Sequence, residues 1–243
     1  MKLFVIFPAR NASQTIAQCI EMAKKSKYEP EILVVDGNSS DKTEQEAKSA
    51  GAIVITQSKE FFPAKGIAMK DGLKEAFSRG ADYIVFLDAD IANLTPEWVD
   101  LLAEPVIKGA CDMSRAYYRR AKHDGAVTKL IAKPLSRVFF PEIAHFKQPL
   151  CGEICATSEV FKALLKGRDW PDGWGIDIWL LIEAAMKDYN IAEAYLGTKI
   201  HTSTQDYADD VVSLTKMAEQ VSLTTFKEAI KHKRMDNLER LHL

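Results

Sequence analysis

At 243 residues, with 32 basic and 34 acidic side chains, the chain is long enough for one large domain and close to neutral. That balance excludes a nucleic-acid binder working through a broad basic field, and no apolar run approaches the ~20 residues of a membrane span. Met1 to Pro8 is too short for a signal peptide's apolar core, and Cys19, Cys111, Cys151 and Cys155 lack zinc-knuckle spacing, so the expectation is a cytoplasmic protein with buried free thiols.

Strands and helices alternate from the start. Leu3 to Phe7 is apolar and β-prone and reads as the first strand. The loop after it, Pro8-Ala9-Arg10-Asn11, has no glycine and so lacks the phosphate loop of a nucleotidyltransferase. Ser13 to Lys25 shows helical spacing, with Ile16, Cys19, Ile20 and Ala23 on one face. Glu31 to Val35 is a second strand ending at Asp36, and a helix from Ser40 stops at Gly51, a C-cap residue. Ala52 to Thr56 is a third strand. After a loop with Phe61, Phe62 and Pro63, Gly66 to Arg79 reads as a helix and Tyr83 to Leu87 as a buried strand. This order predicts a parallel sheet with right-handed crossovers.

The second part is less regular. It holds a strand over Asp112 to Tyr118, a helix over Thr128 to Val138 and a loop from Pro149 entering a short strand or turn by Ala156. Helices over Glu159 to Leu165 and Ile176 to Tyr189 follow, then a strand over Ile191 to Gly197. Asp206 to Lys231 reads as a helix with a charged tail after it.

Asp88-Ala89-Asp90 leaves the sheet at the C-terminal end of a buried strand, where open α/β sheets bind ligands. Residues i and i+2 of an extended chain point the same way, so both carboxylates can hold Mg²⁺ or Mn²⁺ against a diphosphate. The alternative is a cap for the helix opened by Thr95-Pro96. Asp36, followed by Gly37-Asn38-Ser39-Ser40, repeats the arrangement and suits either a nucleobase or a helix cap. Lys65 lies by a helix N-terminus, a place for phosphate oxygens or for a solvated lysine. His201 is either a third metal ligand or a structural histidine.

Asp177, in Trp174-Gly175-Ile176-Asp177, accepts from a sugar hydroxyl beside the Trp174 ring or complements a helix dipole. Glu153, in Gln148 to Glu153, faces the site or partners a buried arginine. Tyr117-Tyr118-Arg119-Arg120, with Lys122 and His123 close behind, is an anion-recognition patch or a solvated edge.

Taken in order, Pro8 to Asn11, Val35 to Thr43, Lys65-Gly66, Asp88-Ala89-Asp90, Gln148 to Glu153, Gly175-Ile176-Asp177 and Leu196-Gly197 through His201 resemble a GT-A glycosyltransferase. More narrowly the chain resembles the retaining glucosyl-3-phosphoglycerate synthases and, more distantly, mannosylglycerate synthase, over about Val5 to Met217. The resemblance implies an α/β GT-A fold, with a Rossmann-like, mostly parallel central sheet flanked by helices and a C-terminal helical extension. It implies a nucleotide-diphosphate sugar donor, UDP- or GDP-hexose, held by Pro8, Ala9, Arg10, Asp36, Ser39, Lys65, Asp88 and Ala89. Asp90 and His201 would ligate Mg²⁺ or Mn²⁺, with Asp88 nearer the ribose and sugar.

Asp177, Lys65 and Asp88 are the implied catalytic groups, without a protein nucleophile. The departing phosphate oxygen would help deprotonate the acceptor on the same face. A small anionic hydroxy acid such as glycerate or phosphoglycerate would meet Arg119, Arg120, Thr128, Leu150, Cys151, Gly152 and Glu153. Two positions depart from the synthases: Ala12 replaces an acidic residue, and Ala126, in Asp124 to Thr128, replaces the acceptor-loop arginine.

Two other readings stay open. One is an inverting GT-A transferase acting on a lipid phosphate or a glycan, with Asp177 as general base. The other is a non-catalytic sugar-nucleotide-binding protein. The expected organisation is a single domain, with residues 1–110 for the nucleotide sugar, 111–205 for the acceptor, and 206–243 as helix and tail. A homodimer packing through the helix from Val211 to Ile230 is expected.

Overall fold

One sheet gathers seven strands: β1 (Leu3–Ala9), β2 (Glu31–Asp36), β3 (Ile53–Thr56), β4 (Tyr83–Phe86), β5 (Met113–Arg119), β6 (Ile154–Thr157) and β7 (Ile191–Thr198). Their order is β3-β2-β1-β4-β6-β5-β7, and only β6 runs against the others. The computed structural model describes residues 1–60, 62–120, 125–167, 169–201 and 207–238. Phe61, Lys122, His123, Asp124 and Asp206 therefore lie outside the described residues.

β1 sits between β2 and β4, and Phe4 to Phe7 are fully buried because both faces of a central parallel strand are covered. Helices α1 (Ile16–Lys24), α2 (Thr43–Ser49), α3 (Lys65–Ser78) and α4 (Pro96–Ile107) belong to the first half. The parallel expectation therefore holds for β1 to β4. The one reversed strand, β6, leaves the sheet mostly parallel, as expected; its direction is set by pairing with β4 and β5, which its four residues do not signal.

The second half adds α5 (Lys133–Phe139), α6 (Ser158–Leu165), α7 (Ile176–Met186) and α8 (Tyr207–Lys231). The segment expected as one helix from Thr128 begins instead with a wide π-helical turn over Thr128–Ala132. α7 is buried on every side over Ile176–Ala184 and is apolar there except for Asp177 and Glu183. Ile176, Trp179, Leu180 and Ala184 join the sheet's core, while Ile178, Leu181 and Ile182 join a second core with Val221 and Ala229 of α8. All four cysteines are free and buried. Among the described residues, no helix is long and apolar enough to cross a membrane.

Candidate active site

The C-terminal ends of β1 and β4 open on a cavity of about 660 Å³. Pro8, Ala9 and Arg10 line it from β1, Lys65 from the start of α3, and Asp88, Ala89 and Asp90 from the turn after β4. Asp177 enters from the first turn of α7, Lys199 and His201 from the segment after β7, and Met217 from α8. The ends of parallel strands diverge into loops here, which is why chemistry collects at this edge.

Five ionisable side chains alternate in sign between the core and the cavity. Lys199 Nζ lies 2.5 Å from Glu153 Oε1 and 2.6 Å from Asp88 Oδ2. Lys65 Nζ lies 3.0 Å from Asp88 Oδ1 and 3.0 Å from Asp177 Oδ2. Burial opposes the charge of Asp88, but the ammoniums of Lys199 and Lys65 outweigh it and hold the carboxyl well below the usual range. Burial also works against Lys65 and Lys199, yet the facing carboxylates win and raise both. At Asp177 burial prevails over Lys65 and pushes the carboxyl up to about 6. Gly152 permits this close packing, since a Cβ there would run into Lys65 Nζ and Asp88.

Hydrogen bonds lace the Asp88–Asn93 turn to the 198–201 segment and so bring His201 to Asp90. Ile91 and His201 form an antiparallel bridge, and Ala92 N donates to Ile200 O at 2.8 Å. The Asn93 side chain donates to Thr198 O at 2.7 Å and accepts from Ile200 N at 2.9 Å. From the other side, Thr15 Oγ1 donates to Ala89 O at 2.7 Å and the Cys19 thiol to Ile91 O at 3.2 Å. Burial and the nearby Asp90 push that thiol up to about 12, so it remains a hydrogen-bond donor.

His201 Nδ1 and Asp90 Oδ2 stand 4.0 Å apart, both on the cavity wall. One imidazole nitrogen and one carboxylate oxygen side by side on the wall are a donor set that would suit Mn²⁺ or Mg²⁺.

Other expected site residues are distributed differently. Arg10 donates to Gly37 O at 3.0 Å and covers the Phe62 ring, which meets Trp174 edge-on, forming one rim. Asp36 is not on the cavity wall and does not cap α2 either: its Oδ2 accepts from Ser39 N at 3.0 Å, inside the turn ahead of that helix. Ser39 is also off the wall, its Oγ accepting from Asn11 N at 3.0 Å. Arg120 and Thr128 line the cavity with Ala126, while Arg119 is exposed and does not. Neighbours at the end of a strand face opposite sides, so only one arginine can turn inward. Arg120 is braced by Tyr118, donating to its hydroxyl at 2.7 Å with the guanidinium over the ring.

Leu150 reaches the wall, but Cys151, Gly152 and Glu153 are buried behind it. Among the described residues, Glu153 pairs with a lysine and not with an arginine. Two residues carry weight that sequence reasoning missed. Arg115, fully buried on β5, donates from Nη2 to the backbone oxygens of Pro149, Cys151 and Asp177 at 3.2, 3.3 and 3.1 Å. It ties the 149–151 loop to the start of α7. Lys199 was the other.

The sequence profile of glycosyl transferase family 2 matches residues 4–164. This chain belongs to that family. The glucosyl-3-phosphoglycerate synthase of Mycolicibacterium paratuberculosis is 32% identical over 81% of this chain and 64% of its own length. The chain thus spans just under two thirds of that relative. The synonymous protein of Petrotoga mobilis is 30% identical over 97% of this chain and 76% of its own length. A crystal structure of the Mycobacterium tuberculosis synthase, in complex with Mn²⁺, uridine diphosphate and phosphoglyceric acid, matches with a TM-score of 0.80 at 28% identity. The match covers 94% of this chain and 78% of that one. The sheet and its C-terminal helix are those of the GT-A fold, as the sequence resemblance implied.

Proposed function

We propose that this family 2 protein transfers a hexose, with retention, from a UDP-sugar to a small anionic hydroxy acid of the glycerate or phosphoglycerate type, with a divalent ion. One observation carries this most: Asp90, His201, Lys65, Asp88 and Asp177 converge on one cavity, at the strand ends, in a chain similar to synthases solved with uridine diphosphate and phosphoglyceric acid. Asp90 and His201 would hold a Mn²⁺ or Mg²⁺ ion, which would supply positive charge beside the leaving diphosphate.

The chain's own residues do the rest. Lys65, at the first turn of α3, aims its ammonium where the departing phosphate gains charge, and a fixed cation there needs no reorganisation. Asp88 offers oxygens to donor hydroxyls. Asp177, low in water and next to Lys65, holds a sugar hydroxyl and stays ionised above about pH 6. Trp174 and Phe62 form the apolar rim that keeps bulk water from the anomeric carbon. Arg120 and Thr128 flank the acceptor side, with Ala126 leaving room where the sequence resemblance implied an arginine.

UDP-glucose with Mn²⁺ should raise the melting temperature by mass action, by several degrees at saturation. No shift from any nucleotide sugar with metal contradicts the reading. The anomeric configuration of the product, read by NMR, separates retention from inversion. Leu223, Phe226 and Ile230, exposed along one stripe of α8, support a homodimer, which gel filtration with light scattering checks.

A further inference from the structure

Lys199 lies inside the Leu196 to His201 motif but was assigned no role there, and only 4% of its surface is exposed. Its ammonium donates to Asp88 Oδ2 at 2.6 Å and to Glu153 Oε1 at 2.5 Å. Glu153 is fully buried, and its second oxygen has no hydrogen-bond partner among the described residues. A carboxylate so far from water is bound to the lysine it pairs with much more firmly than a solvated pair would be. Glu153 therefore anchors Lys199 from below, one residue after the glycine that makes room for Asp88.

Asp88 has each oxygen taken by a different lysine, Lys65 from α3 and Lys199 from beyond β7. Two such bonds fix the rotation of a planar carboxylate; one leaves it free to turn. Without Lys199, Lys65 would be the single cation shared by Asp88 and Asp177, drawn inward and away from an incoming phosphate.

We propose that the Glu153–Lys199 pair is a positioning device for Asp88, keeping that carboxylate aimed at the donor and Lys65 available to the diphosphate. The proposal rests on the glycosyl-transfer reading and extends it to two residues that act through Asp88.

A double-mutant cycle on the full chain tests it: Asp88→Asn, Lys199→Met and both together. Lys199→Met should lower kcat/KM about 10- to 100-fold, as loss of an outer-shell partner does. In the Asp88→Asn background the same change should cost less than about threefold, because coupled sites are not additive. Lys199→Arg, which keeps the charge, should recover most of the loss.

Since Lys199→Met strands a buried carboxylate, Glu153→Gln with Lys199→Met serves as the folded control. It should melt near the wild type and lose the same activity. Multiplying losses in the cycle, or full activity in the folded control, overturns the proposal. The cycle is read a second time on affinity for uridine diphosphate by calorimetry, which needs no turnover. Additive losses there overturn the positioning role by themselves, whereas a wild type inactive on every nucleotide sugar overturns the glycosyl-transfer reading alone.

Discussion

Helix α7 carries a buried carboxylate near each end, and the charge networks they join are built in opposite ways. Asp177, in its first turn, belongs to the chain Glu153–Lys199–Asp88–Lys65–Asp177, four members of which line the cavity. Glu183, six residues on, accepts from Lys231 at 2.9 Å and pairs with the His232 ring at 2.7 Å. Glu228 lies beside them, 3.3 Å from Lys231 and 3.4 Å from His232.

That second group brings two carboxylates and an imidazole within 4.8 Å of one another, but the Lys231 ammonium already sits among them. It closes on itself and holds the end of α8 against α7. The cavity network holds cations at a wall where a ligand can reach them. On the proposed reading, similar residue types serve turnover at one end of a helix and docking of a neighbour at the other, and what differs is which face is open.

The comparison breaks if changes in the cavity network leave turnover intact. Asp90→Ala should lower metal-dependent turnover about 10³-fold while the melting temperature moves by only a few degrees; steady-state assays beside a thermal melt check this, and retained activity removes Asp90 from the mechanism. Lys65→Met should cost about 10²- to 10³-fold in kcat, the usual loss of one preorganised charge. Gly152→Ala should cost about 10²-fold, because the new methyl displaces Lys65 and Asp88 by the better part of an ångström. Arg120→Ala should raise the acceptor's KM about tenfold with donor KM unchanged, as for loss of one charged hydrogen bond, while Arg119→Ala should change neither.

The smallest effect sharpens the other side. Burial and a proton shared with Glu183 push Glu228 up to about 7. Between its ordinary value near 4.5 and about 7, the folded protein keeps a proton that the unfolded chain has lost. Stability should therefore fall as pH rises through that window. Glu228→Gln should flatten the melting temperature between pH 5 and 8 and leave kcat/KM within about twofold, as a change outside the site does.

Much of the frame was legible because its signals are local. Apolar runs ending in Asp36 and Asp88 marked parallel strands and the edge where they open, and Gly51 marked a helix end. Candidate ligands followed from residue type, and the lacing of 91–93 to 200–201 shows why His201 arrives beside Asp90. What stayed hidden depends on tertiary direction. Nothing in Gly197-Thr198-Lys199 signals that this lysine is buried, since a cation is placed inside only by carboxylates from distant segments. Arg115 reads as an ordinary strand residue until β6 and α7 close over it. The reversal of β6 and the division of Arg119 from Arg120 are likewise set by pairing and strand-end facing, and composition carries neither.

Product formation tests the central claim most directly. The protein is incubated with UDP-glucose and Mn²⁺, with glycerate and 3-phosphoglycerate in parallel, and the mixture is read by mass spectrometry with and without a chelator. The account predicts a hexosyl acid and free uridine diphosphate in at least one reaction, abolished by the chelator and by Asp90→Ala. Absence of any sugar transfer or donor cleavage under saturating metal, from a folded protein, would contradict it.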